Sequence, residues 1–285
     1  MRTIKHFFIL ALALSIISCS LVKTAYNNAP ALIAWRLDDY FNFNDAQKAK
    51  LKPALQELHA WHRKNELPRY VSFLNEVKND LSHDVSAQTA CQRIDSIKSN
   101  AQALQTQFTP IIVNLAESLS DKQLQHFQQR LEKRNAEWKE EWWQETTKEQ
   151  QEVRLDKAKD YAEKIYGSLN EPQINILKQS IAKNNFDPAV VYSEILRRDE
   201  DALNILKALR NTALSTEEKS QLVRAGFERM QNSPNLAYQA HIDNITQQTC
   251  ETIASLHAST NTKQRLHAQQ WVEDYKTQFT HLQIK

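Results

Sequence analysis

The chain has 285 residues, of which 41% are hydrophobic and 25% charged, a composition typical of folded globular proteins. Only 2 Gly and 7 Pro are present, which argues against a many-stranded β fold and favours long helices. The formal charge of +2 lacks the basic excess that neutralises phosphates, so the sequence does not favour nucleic-acid binding.

The first 18 residues predict a signal peptide, because two basic residues precede an apolar run over residues 7–17 that is too short to span a bilayer. The run ends at Ser18-Cys19, which resembles a bacterial lipobox. The resemblance implies cleavage after Ser18, a diacylglyceryl group on the Cys19 thiol and an acyl chain such as palmitate on the new amino terminus. Ser20 follows, with no aspartate there, which by analogy with Gram-negative sorting implies a lipid anchor in the outer membrane, facing the periplasm.

Residues 19–285 are expected to form a single all-helical periplasmic domain. Removal of residues 1–18 would leave 34 of the 36 basic residues against 34 acidic ones, so the mature chain would be neutral. Cys91 and Cys250 then form the one remaining pair of thiols. An oxidising periplasm would allow a disulfide between them, and two buried free thiols are the alternative.

Apolar residues recur at helical spacing throughout the mature chain, which predicts an all-α multi-helix bundle, compact or elongated. A helix break is expected near Leu67-Pro68. Residues 121–165 contain neither Pro nor Gly, so they predict one long helix, although their polar middle, QETTKEQQE, leaves an interruption open. Tandem helical hairpins are expected after it.

A short phrase recurs along the chain, and each copy places Gln or Glu three residues after a capping residue. This capping-box pattern predicts a helix N-terminus at each copy. Internal repetition would produce such copies, and so would the capping chemistry of any protein with many helices. The four clear copies are Asn44–Gln47, Ser120–Gln123, Asn170–Gln173 and Ser215–Glu218, and a looser copy begins at Thr260.

Two of these copies also resemble the LTxxQ motif of the Spy and CpxP group of periplasmic proteins. The matching positions are Leu119, Ser120 and Gln123, and Leu169, Asn170 and Gln173. The second position is never threonine here, and this chain is much longer than members of that group. The resemblance implies an all-helical protein that binds unfolded clients without ATP.

A more extensive resemblance, strongest in the first quarter of the chain, is to an uncharacterised family of proteobacterial lipoproteins. It implies a helical lipoprotein and supplies neither a reaction nor a ligand. The residues that carry it are Tyr26-Asn27, Trp35, Asp38 or Asp39, Tyr40, Gln47, Trp61-His62-Arg63 and Leu67-Pro68-x-Tyr70.

Candidate chemical groups are few. His59, His62 and Glu66 share one helical face and could approach a metal ion, but the neighbouring Trp61 favours a packed helix, so no metal site is predicted. With 2 Gly in the chain, no glycine-rich phosphate loop can form. We therefore predict no catalytic residue and no cofactor. An enzyme built from carboxylates that are distant in sequence is the least favoured alternative.

Three tryptophans stand in the stretch EWKEEWW, where Trp143 is rotated about 100° from Trp142 on a helix. Trp143 is therefore a candidate contact for a partner, with packing under a neighbouring helix as the alternative. Nearer the anchor, the later apolar residues are expected to begin the first core helix, with contact to lipid headgroups as the alternative for the whole set, which is Leu21, Val22, Tyr26, Leu32, Ile33 and Trp35. The expected function is non-catalytic binding of protein partners or unfolded clients in the envelope. The alternative is a scaffold or adaptor for a specific envelope or cell-wall complex.

Overall fold

The computed structural model describes residues 22–143 and 146–284, so the predicted lipidation site Cys19 lies outside the described residues. Every regular element within these two ranges is helical and no strand occurs there, which confirms the all-α prediction. Residues 22–27 are helical, and ten further helices follow: α1 Ala29–Phe41, α2 Asp45–Asp80, α3 Ala87–Ala116, α4 Asp121–Trp142, α5 Thr147–Tyr166, α6 Glu171–Lys183, α7 Pro188–Leu209, α8 Thr216–Gln231, α9 Leu236–Ala258 and α10 Thr262–Gln283. Among the described helices, none combines the length and apolarity that crossing a bilayer requires.

The chain divides into two compact units where the sequence suggests a single domain over 19–285. The described part of the first unit is residues 22–75 and 273–284, and that of the second is residues 76–143 and 146–272. Both divisions fall inside helices, α2 and α10, so no loop marks them in the sequence.

The first unit contains α1 and most of α2. Leu51, Leu55 and Leu58 follow one face of α2 and are buried. The expected break at Leu67-Pro68 is wrong, because α2 continues through Pro53 and Pro68. A proline inside a helix removes one backbone hydrogen bond, and burial of Leu67, only 1% exposed, offsets part of that cost.

The second unit is a helical bundle in which α3 packs against α7, α8 and α9. Consecutive helices α5 and α6 pack together, as do α7 and α8, so two hairpins follow α4. Helix α9 also packs against α6. A disulfide between Cys91 and Cys250, with Cα atoms 5.4 Å apart, joins α3 to α9.

The prediction of one helix over residues 121–165 is wrong, because α4 ends at Trp142 and α5 begins at Thr147. The physical reason is a capping box inside the polar middle of this stretch. Thr146 Oγ1 accepts from the Glu149 amide, and the Glu149 carboxylate accepts from the Thr146 amide at 3.1 Å. These bonds satisfy amides that a helix start leaves without intrahelical partners.

The predicted capping boxes at Ser120, Asn170 and Ser215 are confirmed. Asn44 and Gln47 also exchange reciprocal bonds of 3.0 and 2.9 Å. The looser copy, which begins at Thr260, one residue before its cap, has the same arrangement between Asn261 and Gln264. The recurring phrase therefore marks helix starts along the whole chain.

Candidate functional site

The densest group of aromatic side chains in the described part of the second unit lies where the C-terminal end of α4 meets the start of α7. One aromatic side chain of the α6–α7 loop and one of α9 contact this group. We call the whole set the aromatic surface. Its members are Trp138, Trp142, Trp143, Phe186, Tyr192 and His241.

Tyr192 is the centre of one half of the aromatic surface. The ring of Trp138 stacks on it with centroids 5.8 Å apart, and Trp143 meets it edge-on at 5.6 Å. Offset-stacked and edge-to-face geometries are the favoured ones for aromatic pairs. Trp138 is partly buried, whereas Trp143 keeps 41% of its surface exposed. This half therefore holds a tryptophan in place while leaving much of it in contact with solvent.

Phe186, in the loop before α7, is the centre of the other half. Trp142 lies 6.4 Å from its ring centroid, and the His241 ring of α9 lies 6.3 Å away. Asp187 follows Phe186 and caps α7, since its carboxylate accepts from the Ala189 amide at 2.8 Å. The cap fixes the chain direction at this point and so positions the Phe186 ring.

Cationic side chains cover several of these rings. Lys139 Nζ lies 4.2 Å from the ring centroid of Tyr192 and 5.2 Å from that of Trp143. The Arg154 guanidinium lies 5.0 Å from the Phe186 centroid. Such contacts are attractive because a cation faces the negative side of the ring quadrupole.

The cations differ in their ionic partners. Lys157 lies over Trp142 at 4.8 Å and forms an ion pair with Glu141. Lys139 and Arg154 form no ion pair within the described ranges. Burial lowers the pKa of Arg154, which has no carboxylate there to oppose the effect. Among the described residues, the aromatic surface therefore presents two cations that contact ring faces and form no ion pair.

Trp143 is both packed and exposed, and a partner contact through it stays a prediction. Its ring packs against Tyr192, as the packing alternative requires, yet its exposure leaves it accessible to a partner. The sequence did not indicate Phe186, Tyr192 or His241, because they come from other helices and loops and no local pattern links them to Trp143.

Two of the three residues weighed as metal ligands, His62 and Glu66, contact other protein groups. His62 Nδ1 bonds to the Tyr26 hydroxyl at 2.9 Å, and the buried Glu66 pairs with Arg69 at 3.2 Å. Burial lowers the pKa values of both histidines, His59 and His62. No group of three or more potential ligands is arranged for a metal ion among the residues that the structure describes.

A groove of about 700 Å³ lies between α1 and α2 in the first unit. Asp38 is the only carboxylate among its described lining residues and His59 the only imidazole. Asp38 pairs with Lys48 at 3.0 Å. Its described lining thus contains no second acid of the kind that paired-carboxylate hydrolysis uses.

Two buried polar groups in the second unit give no signal in the sequence. His257 is fully buried, with Nδ1 3.1 Å from the Tyr166 hydroxyl and Nε2 2.7 Å from the His83 carbonyl oxygen. Glu194 is 1% exposed and accepts hydrogen bonds from Arg197, Arg198 and Ser233. Other protein groups satisfy both side chains, so both are structural features of the bundle.

Comparison with known proteins gives one match. A model described as "Family of unknown function (DUF6279)" matches residues 39–225, more than half of the chain. The chain matches no curated protein and no solved structure. The match covers the aromatic surface except for His241 of α9.

Proposed function

Because the chain belongs to the family of unknown function DUF6279, we propose its role from its own residues: it is a lipid-anchored periplasmic protein of the outer membrane that binds other proteins without catalysing a reaction. The partner is a protein segment that docks on the aromatic surface.

Two observations support the location. The first is the sequence of residues 1–19, with its basic start, short apolar run and lipobox-like Ser18-Cys19. The second is the disulfide between Cys91 and Cys250, because disulfides persist mainly in compartments outside the cytosol. Several acyl chains on one residue hold a protein on a membrane more firmly than a single chain does.

The exposure of Trp143 is the observation that carries the binding role. Tryptophan is enriched among residues that dominate the energetics of protein interfaces. Trp143 is 41% exposed although its edge contact with Tyr192 fixes its orientation. A preoriented aromatic side chain binds with a smaller entropic cost than a mobile one.

The cations of the aromatic surface indicate the chemistry of the partner. Lys139 and Arg154 are held over aromatic rings, and neither has a carboxylate partner among the described residues. An extended segment with apolar side chains flanked by Asp, Glu or free backbone carbonyl groups would satisfy both the rings and the cations.

The likeness of Leu119-Ser120-x-x-Gln123 and Leu169-Asn170-x-x-Gln173 to the Spy and CpxP motif supports unfolded clients as partners. A scaffold or adaptor role in one envelope or cell-wall complex is the alternative. The two versions differ in the number of partners, since a client-binding protein contacts many sequences and an adaptor contacts one.

The test uses the full chain purified from membranes in detergent and an aggregating model client. The wild type at equimolar amounts should suppress aggregation, and Trp143→Ala with Lys139→Ala should lose most of that protection. Ile97→Ala is the matched control, because Ile97 is an apolar side chain of α3 that is 58% exposed. Absence of protection by the wild type would exclude the client version. Equal loss in the Ile97 variant would contradict the role of the aromatic surface.

A further inference from the structure

Helix α1 exposes its apolar side chains. Trp35 is 68% exposed, Leu32 50% and Ile33 38%, and no residue of α1 is buried. Surface helices of folded proteins normally turn their apolar stripe towards the core. The expectation that these residues begin a core helix is therefore wrong, and their exposed face needs another explanation.

Two of these exposed apolar residues, Leu32 and Trp35, lie close together with Ala31 on the helix, whereas Ile33 lies on another side. At 100° per residue, Ala31, Leu32 and Trp35 fall within an arc of about 100°. Arg36 lies just beyond one edge of this arc, and Asp39 lies inside it, one turn after Trp35. The two form an ion pair of 3.2 Å, so together they add no net charge to the face. The result is a neutral face with one tryptophan, an amphipathic residue that is enriched where hydrocarbon meets water.

The position of α1 in the chain limits what this face can meet. Residues 22–27 are helical and lead into α1, and Cys19 stands three residues before Val22. Three extended residues span about 10 Å and the ten helical steps from Val22 to Leu32 rise about 15 Å. Leu32 therefore lies within about 25 Å of Cys19, which keeps it near any bilayer that holds a lipid on this cysteine.

We propose that the face formed by Ala31, Leu32 and Trp35 lies on the outer-membrane surface, with its side chains at the boundary between headgroups and acyl chains. The inference rests on the proposed lipid anchor at Cys19. The occupant of the face is the bilayer itself, so the protein has a second contact with the membrane besides its lipid. An interfacial helix of this kind binds in the plane of the membrane and does not span it.

The test reconstitutes the full lipidated chain in phosphatidylethanolamine and phosphatidylglycerol vesicles, with or without brominated acyl chains that quench nearby tryptophans. The chain has 6 Trp, so quenching of Trp35 alone would remove up to about one sixth of the tryptophan fluorescence. The Trp35→Phe variant should lose that quenching. Trp143→Phe, which removes another exposed tryptophan at the end of α4, should retain it. Hydrogen exchange of residues 29–41 should slow in vesicles relative to detergent.

Each outcome separates this inference from the proposed function. Equal quenching of the wild type and Trp35→Phe, with unchanged exchange in α1, would overturn the membrane contact even if intact mass shows the lipid on Cys19. Quenching through Trp35 in a chain that carries no lipid would support the contact and refute the anchor.

Discussion

The side chains of Gln173 and Gln264 form a reciprocal amide pair, in which each Nε2 lies 2.9 Å from the Oε1 of the other. Gln173 also donates to the Ser259 carbonyl at 3.2 Å, and Gln264 donates to the Ser168 carbonyl at 3.0 Å. Both are the glutamines of capping boxes, so each also accepts from the amide at the start of its own helix. The starts of α6 and α10 are thus joined by their capping residues.

This pair predicts a specific loss of stability. Gln173→Leu should lower the free energy of unfolding by about 2–3 kcal/mol, because the buried Gln264 amide loses its partner. The double variant Gln173→Leu with Gln264→Leu should lower the free energy of unfolding by less than the sum of the two single changes. Urea denaturation measures all three.

The exposed capping box at Thr146 and Glu149 provides the control. Glu149→Leu removes the same kind of hydrogen bond at a helix start, but the Glu149 side chain does not join a second helix start as Gln173 does. This change should therefore lower the free energy of unfolding by about 1 kcal/mol or less. Equal losses for Glu149→Leu and Gln173→Leu would mean that the amide pair adds nothing to capping.

These capping boxes show how far the sequence predicts the structure. The spacing of a capping residue and Gln or Glu is local, so the amino-acid sequence by itself predicts the helix starts at Ser120, Asn170 and Ser215. Thr146 and Glu149 have the same spacing, but no Pro or Gly lies near them, so the sequence favoured a continuous helix there. The pairing of two boxes is a tertiary contact that no local pattern contains.

The candidate site was less accessible from the sequence. Trp143 was indicated because three tryptophans stand close together in the sequence. Its contact with Tyr192 depends on how α4 packs against α7, and the burial of His257 depends on Tyr166 and on a loop carbonyl. Long-range packing of this kind selects partners by three-dimensional position, which helical periodicity does not report.

The disulfide between Cys91 and Cys250 should stabilise the second unit, because it closes a loop across a sequence separation of 159 residues. Reduction of the wild type should lower the free energy of unfolding by about 2–5 kcal/mol. Denaturation with and without dithiothreitol measures the difference. The double variant Cys91→Ser and Cys250→Ser should not respond to the reductant, and a wild type equally insensitive to it would show that the two thiols are free.

Acid should destabilise the second unit in two steps. Burial lowers the pKa of His257 in the folded state below its ordinary value of 6.5. As the pH falls below 6.5, the unfolded state therefore binds a proton more readily than the folded state does, and the free energy of unfolding begins to decrease. Burial opposes ionisation of Glu194, but hydrogen bonds from Arg197, Ser233 and Arg198 outweigh it and hold the pKa at about 2. The stability that Glu194 contributes is therefore complete above pH 4.5 and is lost as the pH falls towards 2.

The size of the second step is testable with one variant. A pKa lowered from 4.5 to about 2 corresponds to about 3 kcal/mol. Glu194→Gln should destabilise the protein at pH 7 and flatten the dependence of the urea midpoint on pH between 4.5 and 2. Glu57→Gln, at an exposed position of α2, should leave that dependence unchanged. An unaltered slope in the Glu194 variant would contradict the assignment.

Site-specific photocrosslinking in growing cells tests protein binding by the aromatic surface most directly. The photoreactive residue is placed at position 143 or, as a control, at the exposed position 97 of α3. Position 143 should yield covalent adducts with envelope proteins, and position 97 should yield far fewer. A ladder of many adducts would indicate unfolded clients, and one dominant adduct would indicate an adaptor. No adducts at position 143, or the same adducts at both positions, would contradict the claim that the aromatic surface binds proteins.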